Sequence, residues 1–164
     1  MLKQQIQASV KDAMKAGDGN TVTVLRMAVA AINAKQTEKR YKISKEDPSK
    51  TEEVLIKESE LSDDEIVGVL ASEVKKRKDA MALYEQGGRP ELAESEKAEI
   101  TILQKYLPEQ LSAEEIRKLV TESIAATGAK EIKEMGKVMA DLNPKIKGKA
   151  DGGTVSAIVK ELLA

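Results

Sequence analysis

The chain has 164 residues, a length that fits one domain or two small ones. Its 27 basic and 28 acidic side chains leave a net charge of −1, which excludes a protein that coats nucleic acid through bulk electrostatics. The absence of Cys and His excludes disulfides, thiolate nucleophiles, Ser-His triads and ordinary zinc catalysis. With three Tyr as its only aromatic residues, the chain is not expected to offer a stacking platform for single-stranded nucleic acid.

Targeting signals are absent from the sequence. The N-terminal residues lack the apolar core of a signal peptide, and no apolar run is long enough to span a membrane. We therefore expect a cytoplasmic protein without membrane contact, and a monomer.

The start of the chain has helical periodicity. Apolar residues recur every three or four positions from Leu2 to Met14, which predicts an amphipathic helix. Gly17 is expected to end this helix, and Asn20 or Thr21 to cap the next one. The pattern indicates an antiparallel helix pair.

The segment 39–60 has a different composition. It is rich in charged residues, contains Pro48 and has few apolar residues. Such a segment buries too little apolar surface to offset the entropy of ordering it. We predict a mobile, solvated connector, with at most a short helix over Glu52–Lys57.

Two long helices are predicted after this connector. Ser62 and Glu65 form the capping-box pattern that opens the first of them, and Gly87 follows its end. Pro90 stands at the expected start of the second helix, where its missing N–H is tolerated, and Pro108 ends it.

Three shorter helices follow Pro108. Ser112 opens the first with another capping-box pattern, and Gly128 ends it. The second is expected to stop before Pro144, and Asp151 can cap the third. These lengths and tight turns are typical of a small helical bundle.

The predicted fold is therefore all-α, with about seven helices and no sheet. Residues 1–107 are expected to form an N-terminal helical domain of long antiparallel helices. Residues 108–164 are expected to form a C-terminal three-helix bundle.

Two basic clusters stand out in the sequence. In the first, residues 75–78, four consecutive helical positions sweep about 300°, so they cannot all face one partner. Flanking acids at Glu73 and Asp79 favour a solvated helix with local ion pairs. The second cluster comprises Lys137, Lys145, Lys147 and Lys149, with Asp141 as the single acid between 137 and 149.

The second cluster has two interpretations. Ammonium groups and free backbone N–H groups on a Gly-containing connector suit a phosphate. Alternatively, it is a surface loop whose lysines neutralise the C-terminus of a helix.

No catalytic chemistry is visible. The Gly-Lys pairs at 136–137 and 148–149 lack the other residues of a phosphate-binding loop. Paired acids such as Asp63-Asp64 lie at helix starts, where they complement the helix dipole. We predict no catalytic residue, no metal site and no cofactor.

Three motifs in the C-terminal third occur in an order that resembles the GatB/YqeY family. They are Tyr106–Ser112, Met135–Met139 and Pro144–Gly152. Weaker similarity upstream extends the resemblance over nearly the whole chain. These weaker segments are Leu25–Met27, Glu73–Asp79 and Gly88–Ala93.

The resemblance implies an N-terminal helical domain joined to a C-terminal domain similar to the tail of the B subunit of tRNA-dependent amidotransferases. In those enzymes the tail helps to hold tRNA, and amide transfer takes place in other domains. This chain has no counterpart to those domains. The expected function is a non-catalytic accessory protein that binds tRNA or a tRNA-dependent amidotransferase or aminoacylation complex.

The residues that carry this function would be a basic set and two glycines. The basic residues expected to meet phosphates are Lys137, Lys145, Lys147 and Lys149, with Arg77 and Lys78 as a second site. Gly136 and Gly148 would permit close approach of the backbone.

Two other functions stay open. The chain could be a protein–protein adaptor without RNA affinity. Participation in a glutamine-dependent carbon–nitrogen ligase is disfavoured by the missing Cys nucleophile and nucleotide motif.

Overall fold

Every regular element of the chain is a helix. The computed structural model describes residues 1–164 and contains eight α-helices and one short 3₁₀ helix, with no strand. The α-helices are α1 Leu2–Ala16, α2 Gly19–Glu46, α3 Glu52–Glu58, α4 Asp63–Gln86, α5 Pro90–Gln104, α6 Ala113–Thr127, α7 Met135–Ile146 and α8 Gly152–Leu163, and the 3₁₀ helix is Ile132–Glu134. The predicted all-α class is confirmed. No helix is both long and apolar enough to cross a membrane.

The chain groups into two compact units, Met1–Tyr106 and Leu107–Ala164. The first contains α1 to α5, and the second contains α6 to α8 and the 3₁₀ helix. That residues 1–107 and 108–164 fold as independent domains stays a prediction.

Each unit has an apolar core drawn from the periodic positions of its helices. The largest fully buried side chains of the N-terminal unit are Ile6, Leu25, Ile32, Ile66, Leu70 and Leu103. The buried core of the C-terminal unit consists of Ile116, Val120, Ala129, Val138, Leu142, Ile146, Val155, Val159 and Leu163. Helical propensity alone is too weak to stabilise these helices, and burial of their apolar faces supplies most of the stability.

Side-chain hydrogen bonds cap the N-termini of α2, α4 and α6. Both predicted capping boxes form, at Ser62 with Glu65 and at Ser112 with Glu115. The cap of α2 is a correction: the Asp18 carboxylate, not Asn20 or Thr21, accepts from the backbone N–H of Thr21 at 3.0 Å. An ionised acceptor at this position also complements the helix dipole.

The segment 39–60 is largely helical. The loop predicted there is wrong for residues 39–46, because α2 continues to Glu46, whereas the short helix predicted over Glu52–Lys57 is confirmed as α3, Glu52–Glu58. Glu38 accepts from Lys35 at 2.9 Å and from Lys42 at 2.7 Å, and these pairs lie one helical turn apart. Hydrogen bonds from Lys42 and Lys35 lower the pKa of Glu38 to about 2. Ion pairs between residues one turn apart therefore stabilise α2 in a stretch where its apolar periodicity is weak.

Ion pairs also connect residues 39–60 to one another and to α4. The ammonium group of Lys39 binds the Glu65 carboxylate at 2.9 Å, and Arg40 pairs with Glu52 at 3.2 Å. Leu55, on α3, is buried. Within 39–60, only residues 47–51 and 59–60 lie outside the helices.

We expect limited trypsin digestion to cleave first beside the turn 47–51, at Lys45 or Lys50. The turn has few apolar contacts that would oppose local opening. Mass spectrometry of the earliest fragments identifies the site. First cleavage at Lys130 or Lys133 would contradict this expectation.

The end of α7 is a further correction. The helix runs through Pro144 and ends at Ile146, although it was expected to stop before the proline. Pro144 removes one backbone hydrogen bond, but Leu142 and Ile146 are buried on the same face as Val138. Their packing outweighs that loss, and it places Lys145 in the last turn of α7.

Candidate nucleic-acid interface

The loop between α7 and α8 is a tight turn closed by backbone hydrogen bonds. The N–H groups of Lys149 and Ala150 both donate to the carbonyl oxygen of Ile146, at 2.8 and 3.1 Å. Gly148 has a φ of 71°, a conformation that favours glycine strongly over residues with a Cβ. We call residues 147–149 the basic loop.

The basic loop is also held from the segment before α6. The side-chain amide nitrogen of Gln110 donates to the carbonyl oxygen of Gly148 at 2.6 Å. The backbone N–H of Leu111 donates to the carbonyl oxygen of Lys149 at 2.8 Å. Gly148 is buried, whereas Lys147 and Lys149 on either side of it are exposed. The turn therefore has a defined backbone that leaves two ammonium groups in solvent.

The four predicted lysines differ in whether a carboxylate already neutralises them. Lys147 and Lys149 form no ion pair and no side-chain hydrogen bond within the chain. Lys137 lies 3.0 Å from Glu134, and Lys145 lies 2.6 Å from Asp141. A phosphate can therefore meet the two loop lysines directly, but the two lysines of α7 only after they exchange partners.

Both acids that pair with the α7 lysines are held in the charged form. The pKa of Glu134 is lowered by the backbone N–H of Lys130 and then by Lys137. The pKa of Asp141 is lowered by its hydrogen bond from Lys145 and then by that from Ser123. These acids stay ionised at neutral pH, so they shield the α7 lysines under physiological conditions.

Gly136 lies in the first turn of α7 and is exposed. A Cβ built on it would meet no atom within 4 Å, and its φ is not positive. Nothing in the chain itself requires glycine at this position. That freedom is compatible with close approach of a ligand to the backbone, which stays a prediction.

Replacing Gly136 with Ala should show whether glycine is needed here for the approach of RNA to the backbone. We expect a gain in unfolding free energy of about 0.5 kcal/mol, because Ala loses less entropy in a helix than Gly. If the backbone approaches RNA here, the same variant should bind tRNA more weakly. Gly19→Ala, an equally open first-turn position of α2, is the matched control and should leave binding unchanged. Unchanged binding by Gly136→Ala would remove Gly136 from the interface.

The predicted second site does not form one basic surface. Arg77 is 6% exposed and donates to Glu99 at 2.9 Å and to Glu73 at 3.3 Å. Burial raises the pKa of Glu73, but hydrogen bonds from Lys76 and Arg77 outweigh it, so the pKa is lowered. Arg77 therefore joins α4 to α5, and we leave it out of the proposed interface. Lys78 is exposed and forms no ion pair.

The sequence does not indicate that the Gln110 amide holds the basic loop, although Gln110 lies in the motif Tyr106–Ser112. The pairing of residues 38 positions apart has no signal in a single sequence.

The side chains of the structure offer little for metal binding. No group of three or more Asp or Glu is arranged to hold a metal ion. The donors at the candidate interface are ammonium and amide groups, which recognise anions.

Comparison with known proteins identifies one family model that matches the chain. No curated protein matches the chain. The family model described as Yqey-like protein matches residues 3–163, almost the entire length. The chain belongs to the YqeY-like protein family.

Proposed function

We propose that the chain is a non-catalytic accessory protein that binds tRNA, alone or within a tRNA-handling complex, through the basic loop and α7. The observation that carries the proposal is the pair of unpaired, exposed lysines, Lys147 and Lys149, on a turn with a defined backbone. Such groups meet phosphates without first breaking an internal ion pair.

The local charge supports the proposal. Residues 130–149 contain six Lys and three acids, whereas the whole chain has a net charge of −1. Positive charge is therefore concentrated on α7 and its flanks, and acids dominate elsewhere. This distribution favours a small number of defined phosphate contacts over diffuse binding.

The paired lysines can add to such contacts. An exposed ion pair stabilises a protein by only about 0–1 kcal/mol, so exchanging Asp141 or Glu134 for a phosphate costs little. Lys137 and Lys145 would then join Lys147 and Lys149 at the nucleic acid.

A filter-binding titration of the full chain with bulk tRNA tests the proposal. With four contacts, log affinity should fall with log salt at a slope of about −3.6. Affinity should therefore fall about 150-fold between about 50 and 200 mM salt. No binding even at the lower salt concentration would exclude tRNA binding by the chain alone and favour the protein–protein adaptor.

The acid beside Lys145 gives a variant with increased affinity. Asp141→Asn should bind tRNA about two- to five-fold more tightly, because it frees Lys145 and removes one negative charge. The buried hydroxyl of Ser123 donates to the carbonyl oxygen of Val138 at 3.3 Å and does not depend on the Asp141 charge, so the fold should be retained. Glu122→Gln on α6, exposed and without an ion pair, is the matched control. If both variants bind like the wild type, Lys145 does not contact the RNA.

The ligase alternative has a simple test. A glutaminase assay of the purified chain should show no release of ammonia, because no Cys is present to attack the glutamine amide. Turnover that follows the protein through purification would reverse this conclusion.

A further inference from the structure

The segment that precedes α6 is hydrogen-bonded to the basic loop. We propose that Gln110 is a positioning residue that presents Lys147 and Lys149 to phosphate. This inference rests on the proposed function, and it concerns how the same surface is held ready for its ligand.

The Gln110 amide bridges two backbone carbonyl groups. Its nitrogen donates to Pro108 at 2.9 Å and to Gly148 at 2.6 Å. The bond to Pro108 lies within the segment and fixes the orientation of the amide. The bond to Gly148 then reaches the centre of the loop, between the two exposed lysines. A Glu at this position would have no N–H to donate, and its charge would oppose binding of an anion.

The bridge also controls which polar groups the loop offers. The carbonyl oxygens of Gly148 and Lys149 accept from Gln110 and from the Leu111 N–H. Carbonyl oxygens occupied in this way do not face a phosphate, with which they would interact unfavourably. Reorientation of the peptide after Gly148 is opposed by the same bonds, so the loop keeps one conformation.

Positioning of this kind acts by lowering the entropy lost on binding. When the bridge is removed, the loop must be ordered as tRNA binds, and affinity falls. The loss of one hydrogen bond of ordinary strength corresponds to about a five-fold change in affinity. The number of phosphate contacts should not change, because all four lysines remain.

Three variants of the full chain test the proposal with bulk tRNA as the probe. Gln110→Ala removes the bridge. Gln5→Ala removes an exposed amide on α1, outside the proposed interface, whose side chain forms no hydrogen bond, and it is the matched control. Lys147→Ala/Lys149→Ala, with and without Gln110→Ala, completes a double-mutant cycle.

We expect Gln110→Ala to weaken binding about five-fold with an unchanged salt slope and unchanged binding stoichiometry. In the Lys147→Ala/Lys149→Ala background, the same substitution should have no further effect, because the bridge acts only through those lysines. Gln5→Ala should bind like the wild type. In the absence of RNA, the backbone amides of Lys149 and Ala150 should exchange hydrogen faster in Gln110→Ala than in the wild type.

Several results would overturn the inference. Wild-type affinity for Gln110→Ala, or an equal loss in both backgrounds of the cycle, would show that the amide does not act through the loop lysines. A reduced binding stoichiometry with a lowered melting temperature would indicate a purely structural role. If the wild type itself does not bind tRNA, the proposed function fails first, and hydrogen exchange still tests the bridge.

Discussion

Replacing Lys145, Lys147 and Lys149 with Ala is expected to flatten the salt dependence of tRNA affinity by about two to three units of log–log slope. Each lysine that leaves a phosphate removes just under one unit, because fewer counterions are released. At low salt this corresponds to a large loss of affinity. Filter binding at a series of salt concentrations measures both quantities.

The control for this variant is a second lysine-to-alanine triple substitution, at Lys75, Lys76 and Lys78 on α4. It removes the same charge from the other basic cluster and should leave the slope unchanged. Unfolding free energies of both variants should stay close to that of the wild type, because exposed lysines contribute little to folding. Equal losses of binding in both variants would extend the interface to α4, and a loss confined to the α4 variant would move it there.

Replacing Arg77 with Ala is expected to produce the largest change in stability, a loss of about 2–4 kcal/mol of unfolding free energy. The substitution leaves the carboxylates of Glu73 and Glu99 without their buried partner on α4 and α5. Urea denaturation of the full chain measures this loss. Lys78→Ala, one position along the same helix but exposed, should change stability by less than about 0.5 kcal/mol.

The effect of Arg77→Ala should depend on pH. Burial raises the pKa of folded Glu73, but Lys76 and then Arg77 lower it below its ordinary value of 4.5. Stability from its pairing is therefore present above that pH and is lost as the pH falls through the lowered pKa. The difference between variant and wild type should shrink in acid. A stable Arg77→Ala variant that has lost tRNA affinity would place Arg77 at the interface instead.

The starts of helices could be predicted from the sequence where a capping residue and its partner lie close together in the chain. The capping boxes at Ser62 and Ser112 mark helix starts because their hydrogen bonds close within four residues. The end of α2 was not predicted, because its support comes from charges one turn apart and from contacts with later residues such as Glu65. The proline in α7 is tolerated because of tertiary packing around Leu142, which short-range rules do not include.

The candidate interface could be predicted in part. A lysine-rich connector between two helices is visible in the sequence, but ion pairing is not. Only the structure separates Lys147 from Lys145, whose charge Asp141 neutralises. From the sequence alone Arg77 and Lys78 are equivalent candidates, although Arg77 is buried and Lys78 is exposed. Differences of this kind depend on how the helices pack.

The most direct test of the account is an NMR titration of the isotope-labelled full chain with unlabelled bulk tRNA. The account predicts that the amide signals of residues 147–149 and of the first turn of α7 shift or broaden first, at substoichiometric RNA. Signals from residues 75–78 should follow only the general broadening of the complex. Changes confined to α4, or no change at any amide, would contradict the claim that the basic loop binds tRNA.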